Sequence, residues 1–332
     1  MADQLWTPRE IKEFSMQRAL IGAAEGSLAK TYEGGMLREF SQVTGKPVTE
    51  NGFFLPFEVL RRDLTAASAS GAALIGTSTP FALDVLRPYA ATLRSGAQLM
   101  KFKGDVSVPK VAAPSTVTWL EDEFSAITES QATLGELALS PKDAAILTQV
   151  SAKMTRQADI DNFLRRELLR SMGSALDQAI FSGSGVSGQP HGIIGTTGTL
   201  GVSGTSLDWD GVTDMLWGVA EADGQEGVAW FAPPSVRRLL SRRERIAGGG
   251  REIWNDNSIA GYPAIASRVA PADTLIVGAF GEVVIALFVD GIEIVVNPYS
   301  DFTRGLISYR AWLSVDVAVT APAAFAVAEG IS

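Results

Sequence analysis

The sequence predicts an α+β protein in which one long β-hairpin and one long helix are set against a mixed body of strands and helices. Three observations predict it. Residues 101–150 hold two stretches of alternating apolar and polar residues on either side of an acidic segment, the pattern of a hairpin. Between Ile160 and Ile180 apolar residues recur every three to four positions, the pattern of an amphipathic helix. Beyond residue 206, short β-branched runs follow helical segments and are separated by tight turns.

Taken in order, residues 1–50 begin with "TPRE" at Thr7–Glu10, which has capping-box order and a proline at the first helical position. A helix to about Leu20 would place Ile11, Phe14 and Leu20 on roughly one face. The glycine-punctuated phrases "GAAEGS", "EGG" and "TGKP" then predict an extended arm with little core of its own, in need of a partner surface. Compact structure is expected from Asn51, at "NGFFLPFEVLRRDL".

The first arm of the hairpin carries Val106, Val108, Val111, Val117 and Trp119. Its return carries Leu137 and Leu139, then Ile146 or Leu147, and Val150. Glu121, Asp122, Glu123 and Glu129 form the tip between them. A two-stranded hairpin of this length is marginal in water, so it is expected to lie on something else. The helix that follows faces inward with Ile160, Phe163, Leu164, Leu168, Met172, Leu176 and Ile180. Asp161, Arg165, Arg166, Arg170 and Asp177 occupy the opposite face of a rod of roughly 36 Å.

That helix runs into "FSGSGVSGQPHGIIG", where Gly183, Gly185 and Gly188 spell G-x-G-x-x-G beside the only histidine, His191. A dinucleotide loop needs a strand before the glycines and a helix after them, so that amide groups face the phosphates. Here a helix comes first and Gln189-Pro190 follows, so the segment is expected to be a loop in which His191 bonds nearby backbone. Residues 206–300 predict an α/β unit: a helix at Trp209–Glu221, the strand "GVAWFAPP", an arginine-rich helix and several short strands. A long strand through Ile307, Tyr309, Leu313 and Val317 follows, and "APAAFAVAEG" is expected as a closing edge strand.

Composition narrows the function. The chain has 332 residues and 35.2 kDa, long enough for one large domain or two modest ones. Its net charge of −9 disfavours nucleic acid except at a local patch. Without cysteine there is no disulfide framework or thiolate metal site, and one histidine cannot build a multi-histidine centre. A Ser-His-Asp triad would have to use His191, and no G-x-S-x-G elbow surrounds it. No apolar run reaches the ~18 residues of a membrane span, and the start lacks signal-peptide order, so a soluble intracellular chain is expected. The local basic patch is "SVRRLLSRRER", with Arg237, Arg238, Arg242, Arg243 and Arg245. It reads as a solvated helix face backed by Leu239, Leu240 and Ile246, as salt-bridging to a neighbouring chain, or as a nucleic-acid contact without interleaved aromatics.

The order of parts and four phrases resemble the major capsid proteins of tailed bacteriophages, with the Hong Kong 97-type fold. The phrases are "NGFFLPFEVLRRDL", "VSVPKVAAPSTVTWLEDEFSAITES", "LGELALSPKDAAILTQVSAKM" and "LDQAIFSGSGVSGQPHGIIG". The resemblance covers about residues 40–330. It implies an N-terminal arm at 1–50 and a peripheral domain at 51–100 and 151–205. It also implies an extended loop at 101–150, an axial domain at 206–300 and a returning peripheral strand at 301–332. The implied function is mechanical, with no catalytic residue, cofactor or metal. Pentamers and hexamers would close an icosahedral shell around loosely contacted double-stranded DNA, assembled in the host bacterial cytoplasm and found in the virion. A portal protein and separate scaffolding or decoration proteins are the other implied partners, and no membrane is.

Inter-subunit contacts are expected from the acidic tip residues Glu121, Asp122, Glu123 and Glu129, and from Arg165, Arg166, Arg237, Arg238, Arg242 and Arg243. Some members weld their shells through a hairpin lysine and an asparagine, assisted by a glutamate. The asparagine and glutamate positions fall here on Gly305 and Trp312, and Gln131–Ser140 contains no lysine, so no such cross-link is expected. Only 50 residues precede Asn51, so scaffolding is expected to be separate or absent. Two other readings stay open: an encapsulin-type shell that loads enzymes, and a hydrolase using His191.

Overall fold

The computed structural model describes residues 6, 8–45, 48–49, 51–60, 86, 89–113, 133–151, 153, 160–222, 224, 226–246, 248–289 and 291–332. Its N-terminal region is helical, with α1 (Pro8–Glu13), α2 (Met16–Ala24) and α3 (Tyr32–Thr44). The single helix expected to Leu20 is split because Ser15 is extended and its side chain caps α2, accepting from the Arg18 amide at 3.3 Å. Thr31 caps α3 by accepting from Gly34, and Gly45 ends it at φ 70°. The segment is therefore no extended, core-poor arm. A Cβ on Gly34 would stand 1.8 Å from the Leu28 carbonyl oxygen, so this glycine serves close packing of α3 rather than extension. Trp6, Phe14, Leu20, Leu28, Leu37 and Phe40 all enter the main core, with the Phe40 ring stacked on Phe54 at 5.7 Å.

The chain continues through β1 (Gly52–Pro56), α4 (Phe57–Leu60), α5 (Ala91–Arg94) and β2 (Gln98–Lys101). The alternating arms then pair as β3 (Val106–Ala113) and β4 (Thr133–Leu139), antiparallel, with Val106 opposite Leu139. Val117, Trp119 and the acidic tip lie outside the described residues. The return arm is shorter than expected. Pro141 has no N–H to donate, the ladder stops at Leu139, and β5 (Lys142–Ser151) turns away into the body.

The spine helix, α6 (Ile160–Ser182), has 23 residues and buries Leu164, Leu169, Met172, Leu176 and Ile180. Its polar face needs two corrections. Arg165 is 1% exposed and donates to the Val59 carbonyl at 2.5 Å and the Phe14 carbonyl at 3.4 Å, which ties the N-terminal helices to the spine. Asp177 is 2% exposed and accepts from the Ala91 and Thr92 amides at 2.8 and 3.1 Å, which anchors α5. Phe163, expected inside, is 48% exposed.

The remaining elements are β6 (Leu200–Ser203), α7 (Trp209–Glu221), β7 (Val228–Ala232), α8 (Pro234–Leu240) and β8 (Trp254–Asn255). After them come β9 (Ser258–Ile259), β10 (Tyr262–Ala266), β11 (Thr274–Ala279), β12 (Val283–Leu287), β13 (Gly291–Asp301), β14 (Leu306–Val319) and β15 (Phe325–Glu329). Two larger sheets result. One has six strands, in the order β1-β13-β14-β12-β2 with β5 also on β14; the other has seven, β6-β15-β11-β7-β10-β9-β8. β12 and β13 thus leave the α/β unit for the six-stranded sheet, and the expected boundary at 300 falls inside β13. β15 is not an edge strand: it lies between β6 and β11, because Gly278 leaves room for the Phe325 ring, 2.1 Å from where a Cβ would be.

Phe181 at the end of α6 meets Phe231 at 5.1 Å, which meets Phe280 at 4.7 Å, which meets Phe325 at 5.5 Å. This aromatic chain joins the spine helix to the interior of the seven-stranded sheet. One large core runs through both sheets, and a small second cluster of Leu139, Ala286 and Ala318 sits at the root of the hairpin.

Candidate assembly surfaces

The glycine loop is built for shape. Gly185 and Gly188 take φ of 70° and 76°, and a Cβ on Gly183 would stand 2.3 Å from the Pro190 carbonyl oxygen. The loop closes on itself through Gly185 N–H to Pro190 O at 3.0 Å and Gly192 N–H to Gly183 O at 2.9 Å. It also sits at the C-terminal end of α6, where the helix dipole is negative and opposes a phosphate. His191 is exposed, its ring beside Gly185 and Gly195, and it bridges to Ser184 through the backbone. The Ser184 hydroxyl bonds instead to the Val186 carbonyl and to Gln189, at 3.2 and 2.9 Å. Among the described residues no group of three His, Asp or Glu could hold a metal, and no helix is long and apolar enough to cross a membrane.

What the molecule offers instead is surface. β3 and β4 hydrogen-bond only to each other among the described strands, and among the described residues the hairpin packs on the body through the small cluster at its root. On the outward side of the six-stranded sheet, Leu147 of β5 is 69% exposed opposite Arg310. Arg310 in turn lies 4.3 Å from the Trp312 ring centre, and Trp312 donates to Glu293 at 2.9 Å. The two positions aligned with cross-linking groups thus hold a bonded indole and, at Gly305, a turn residue with φ 62°.

The arginine cluster is divided. α8 ends at Leu240, so Arg242, Arg243 and Arg245 lie on the turn after it and not on a helix face. Arg237 lies over Trp254 and donates to Asn257; Arg243 donates to the carbonyls of Leu207 and Ser332. Arg245 covers Trp209 at 4.4 Å and donates to the Glu252 carbonyl. These three staple the chain to itself. Arg238 and Arg242 are exposed and make no side-chain hydrogen bond or ion pair among the described residues, and Arg166 and Arg170 are exposed on α6. Ile246, expected to back the cluster, is 74% exposed.

Sequence reasoning missed the exposed aromatics. Trp217 on α7 is 66% exposed, and Tyr299, in the irregular stretch of β13 between Asn297 and Asp301, is 72% exposed. Trp217 was legible in the helical phase, since it falls opposite the buried Val212, Met215 and Val219.

Comparison with known proteins fits this arrangement. The model of the phage capsid family matches residues 78–330. The chain is similar to the major capsid protein of Halomonas phage phiHAP-1, 27% identical over 337 residues. That alignment covers 97% of this chain and 55% of the relative, so the chain spans about half of that protein's length. Among solved structures, the capsid of the native GTA particle superposes with TM-score 0.58 at 16% identity, over 82% of this chain and 97% of that one. Microbacterium phage Oxtober96 gives TM-score 0.55 at 19% identity, over 81% and 98%. Gordonia phage Cozz gives 0.56 at 16%, over 79% and 90%. At these identities the structures show the fold, and it is the capsid fold of tailed phages, the Hong Kong 97 type.

Proposed function

The chain belongs to the phage capsid family, and from that premise we propose that it is a major capsid protein whose copies close an icosahedral shell around double-stranded DNA. The observation that carries the proposal is the hairpin, whose described strands pair only with each other and pack on the body at the root. Such an arm is marginally stable by itself and gains its remaining contacts from a neighbouring copy.

In this reading the hairpin, between the end of β2 and the start of β5, is the extended loop and reaches over the next subunit. The spine helix and the six-stranded sheet are the peripheral domain, and the seven-stranded sheet is the axial domain that meets its copies around five- and six-fold axes. Arg238 and Arg242 remain as candidate contacts for the acidic tip of a neighbour, whereas Arg165, Arg237 and Arg243 act inside the subunit. A net charge of −9 suits a container that touches packaged DNA loosely. The protein would act mechanically, with no chemistry of its own. It would assemble in the host bacterial cytoplasm, with a portal protein and a separate scaffolding or decoration protein as partners, and reside in the virion.

Negative-stain electron microscopy with size-exclusion chromatography and light scattering tests this. Closed shells, or rings of five and six copies, are expected. A monodisperse monomer or dimer at micromolar concentration, unchanged by candidate scaffolding protein, would overturn it.

A further inference from the structure

A hairpin has two connections to its body, and here both are short and rest on the same small pad. β2 passes into β3 through residues 102–105, where Gly104 takes φ 75°, a backbone that disfavours any side chain. β4 passes into β5 through Ser140-Pro141. Beneath them Leu139, Ala286 and Ala318 are buried, with Phe102, Val106 and Phe288 packed around them.

Beside this pad stands Asp316 of β14, whose side chain is 2% exposed. One carboxylate oxygen accepts from the Ser140 amide at 3.0 Å. The other accepts from the Lys142 ammonium at 2.7 Å and from the Val317 amide at 2.8 Å. The carboxylate therefore spans the Pro141 break, holding one residue on each side of it. A buried carboxylate is costly unless fully bonded, and this one is supplied with donors from the very segment that leaves the ladder. Strand pairing alone needs no acid here: Asp316 stands opposite Ala286, an apolar position.

We infer that Asp316 is the catch that sets the angle at which the hairpin leaves its own subunit, before any neighbour touches it. The inference rests on the reading of the hairpin as the arm that reaches a second copy. Arms that all leave at one angle meet their neighbours in one geometry, and closed particles then share one diameter. With the catch released, the hairpin turns about Gly104 and Pro141 and particles of mixed diameter form.

The chain contains no cysteine, so Glu136→Cys on β4 and Arg170→Cys on α6 accept one spin label each, both on exposed side chains. Pulsed dipolar spectroscopy on unassembled subunits should give one narrow distance when Asp316 is kept. Asp316→Ala should broaden the distance and speed exchange of the Ser140 amide by about tenfold or more, the value of a hydrogen bond to a charged group. Asp316→Asn keeps an acceptor for Ser140 but no charge for Lys142, and should lie between; it carries the test if the alanine variant does not fold. A role in stability alone would lower the melting temperature and leave the distance in the folded subunit narrow, and that result in both variants would overturn the catch. The distance is read on single subunits, so it stands apart from the shell reading. Unaltered chains that form no shells would remove that reading, whatever the distance shows.

Discussion

The hairpin and the spine helix are held in opposite ways. α6 is fastened along its length: Arg165 joins it to the N-terminal helices, Asp177 to α5, and Phe181 to the seven-stranded sheet. Among the described residues, β3 and β4 are fastened at the root, by a small apolar pad and one carboxylate. The difference separates a rigid body from an adjustable limb. Local opening follows the density of buried contacts, so the spine should open only with the whole fold, and the hairpin far more readily.

The largest effect expected on that comparison is from Phe181→Ala, which empties the junction between α6 and the seven-stranded sheet. A loss of about 3–5 kcal/mol is expected in chemical denaturation of the subunit. A loss below 1 kcal/mol would mean that the two sheets are not bound through this helix end. Asp177→Asn comes next, at about 1–3 kcal/mol, because an amide turns a donor toward backbone N–H groups that need an acceptor.

Asp177 also carries a pH signature. Burial raises its pKa above 3.8, against hydrogen bonds from Thr92 and Ala91 and the nearby Arg94, which lower it. The folded state then holds this proton more tightly than the unfolded chain. The contribution to stability is complete below pH 3.8 and is lost as pH rises from there through the raised folded value. Denaturation midpoints measured upward from pH 3 should show this decline in the unaltered chain and a flatter curve in Asp177→Asn.

Leu139→Ala, at the hairpin root, should cost about 2 kcal/mol at most, since the pad is small. Its mark should be exchange confined to residues 106–113 and 133–139; an equal loss of protection along α6 would erase the distinction between limb and body. Charge reversal at the exposed Arg238 should change subunit stability by less than about 0.5 kcal/mol and should act, if the shell reading holds, on assembly seen by light scattering. The smallest signal belongs to Tyr309, whose hydroxyl is buried without a partner among the described residues, beside a cavity of about 40 Å³ between α2, α6 and β14. Burial pushes its pKa up to about 12. Absorbance titration should therefore leave this one of the five tyrosines unionised well past pH 10, until the fold opens.

Where the sequence misled, the reason was the same each time. Gly34 looked like a break in structure and is a contact point, because its meaning depends on Leu28 standing against it. Arg165 looked like a surface charge because it lies opposite an apolar stripe, but that side of α6 is covered by chain from around Phe14 and Val59. β15 looked like an edge because it comes last, and the room made by Gly278 admits it to the interior.

Periodicity by itself determined the spine helix, the paired arms of the hairpin and the loop character of the glycine segment, since each follows from neighbours in the chain. Pro141 ends the arm through its missing N–H, a local signal that alternation continuing to Val150 masked. Only the tertiary structure decided which sheet received β12, β13 and β15, which arginines turned inward, and that Asp316 faces Ser140 and Lys142 from more than 170 residues away. Strand partners and buried charges are chosen by contacts between distant segments, and no spacing along the chain records them.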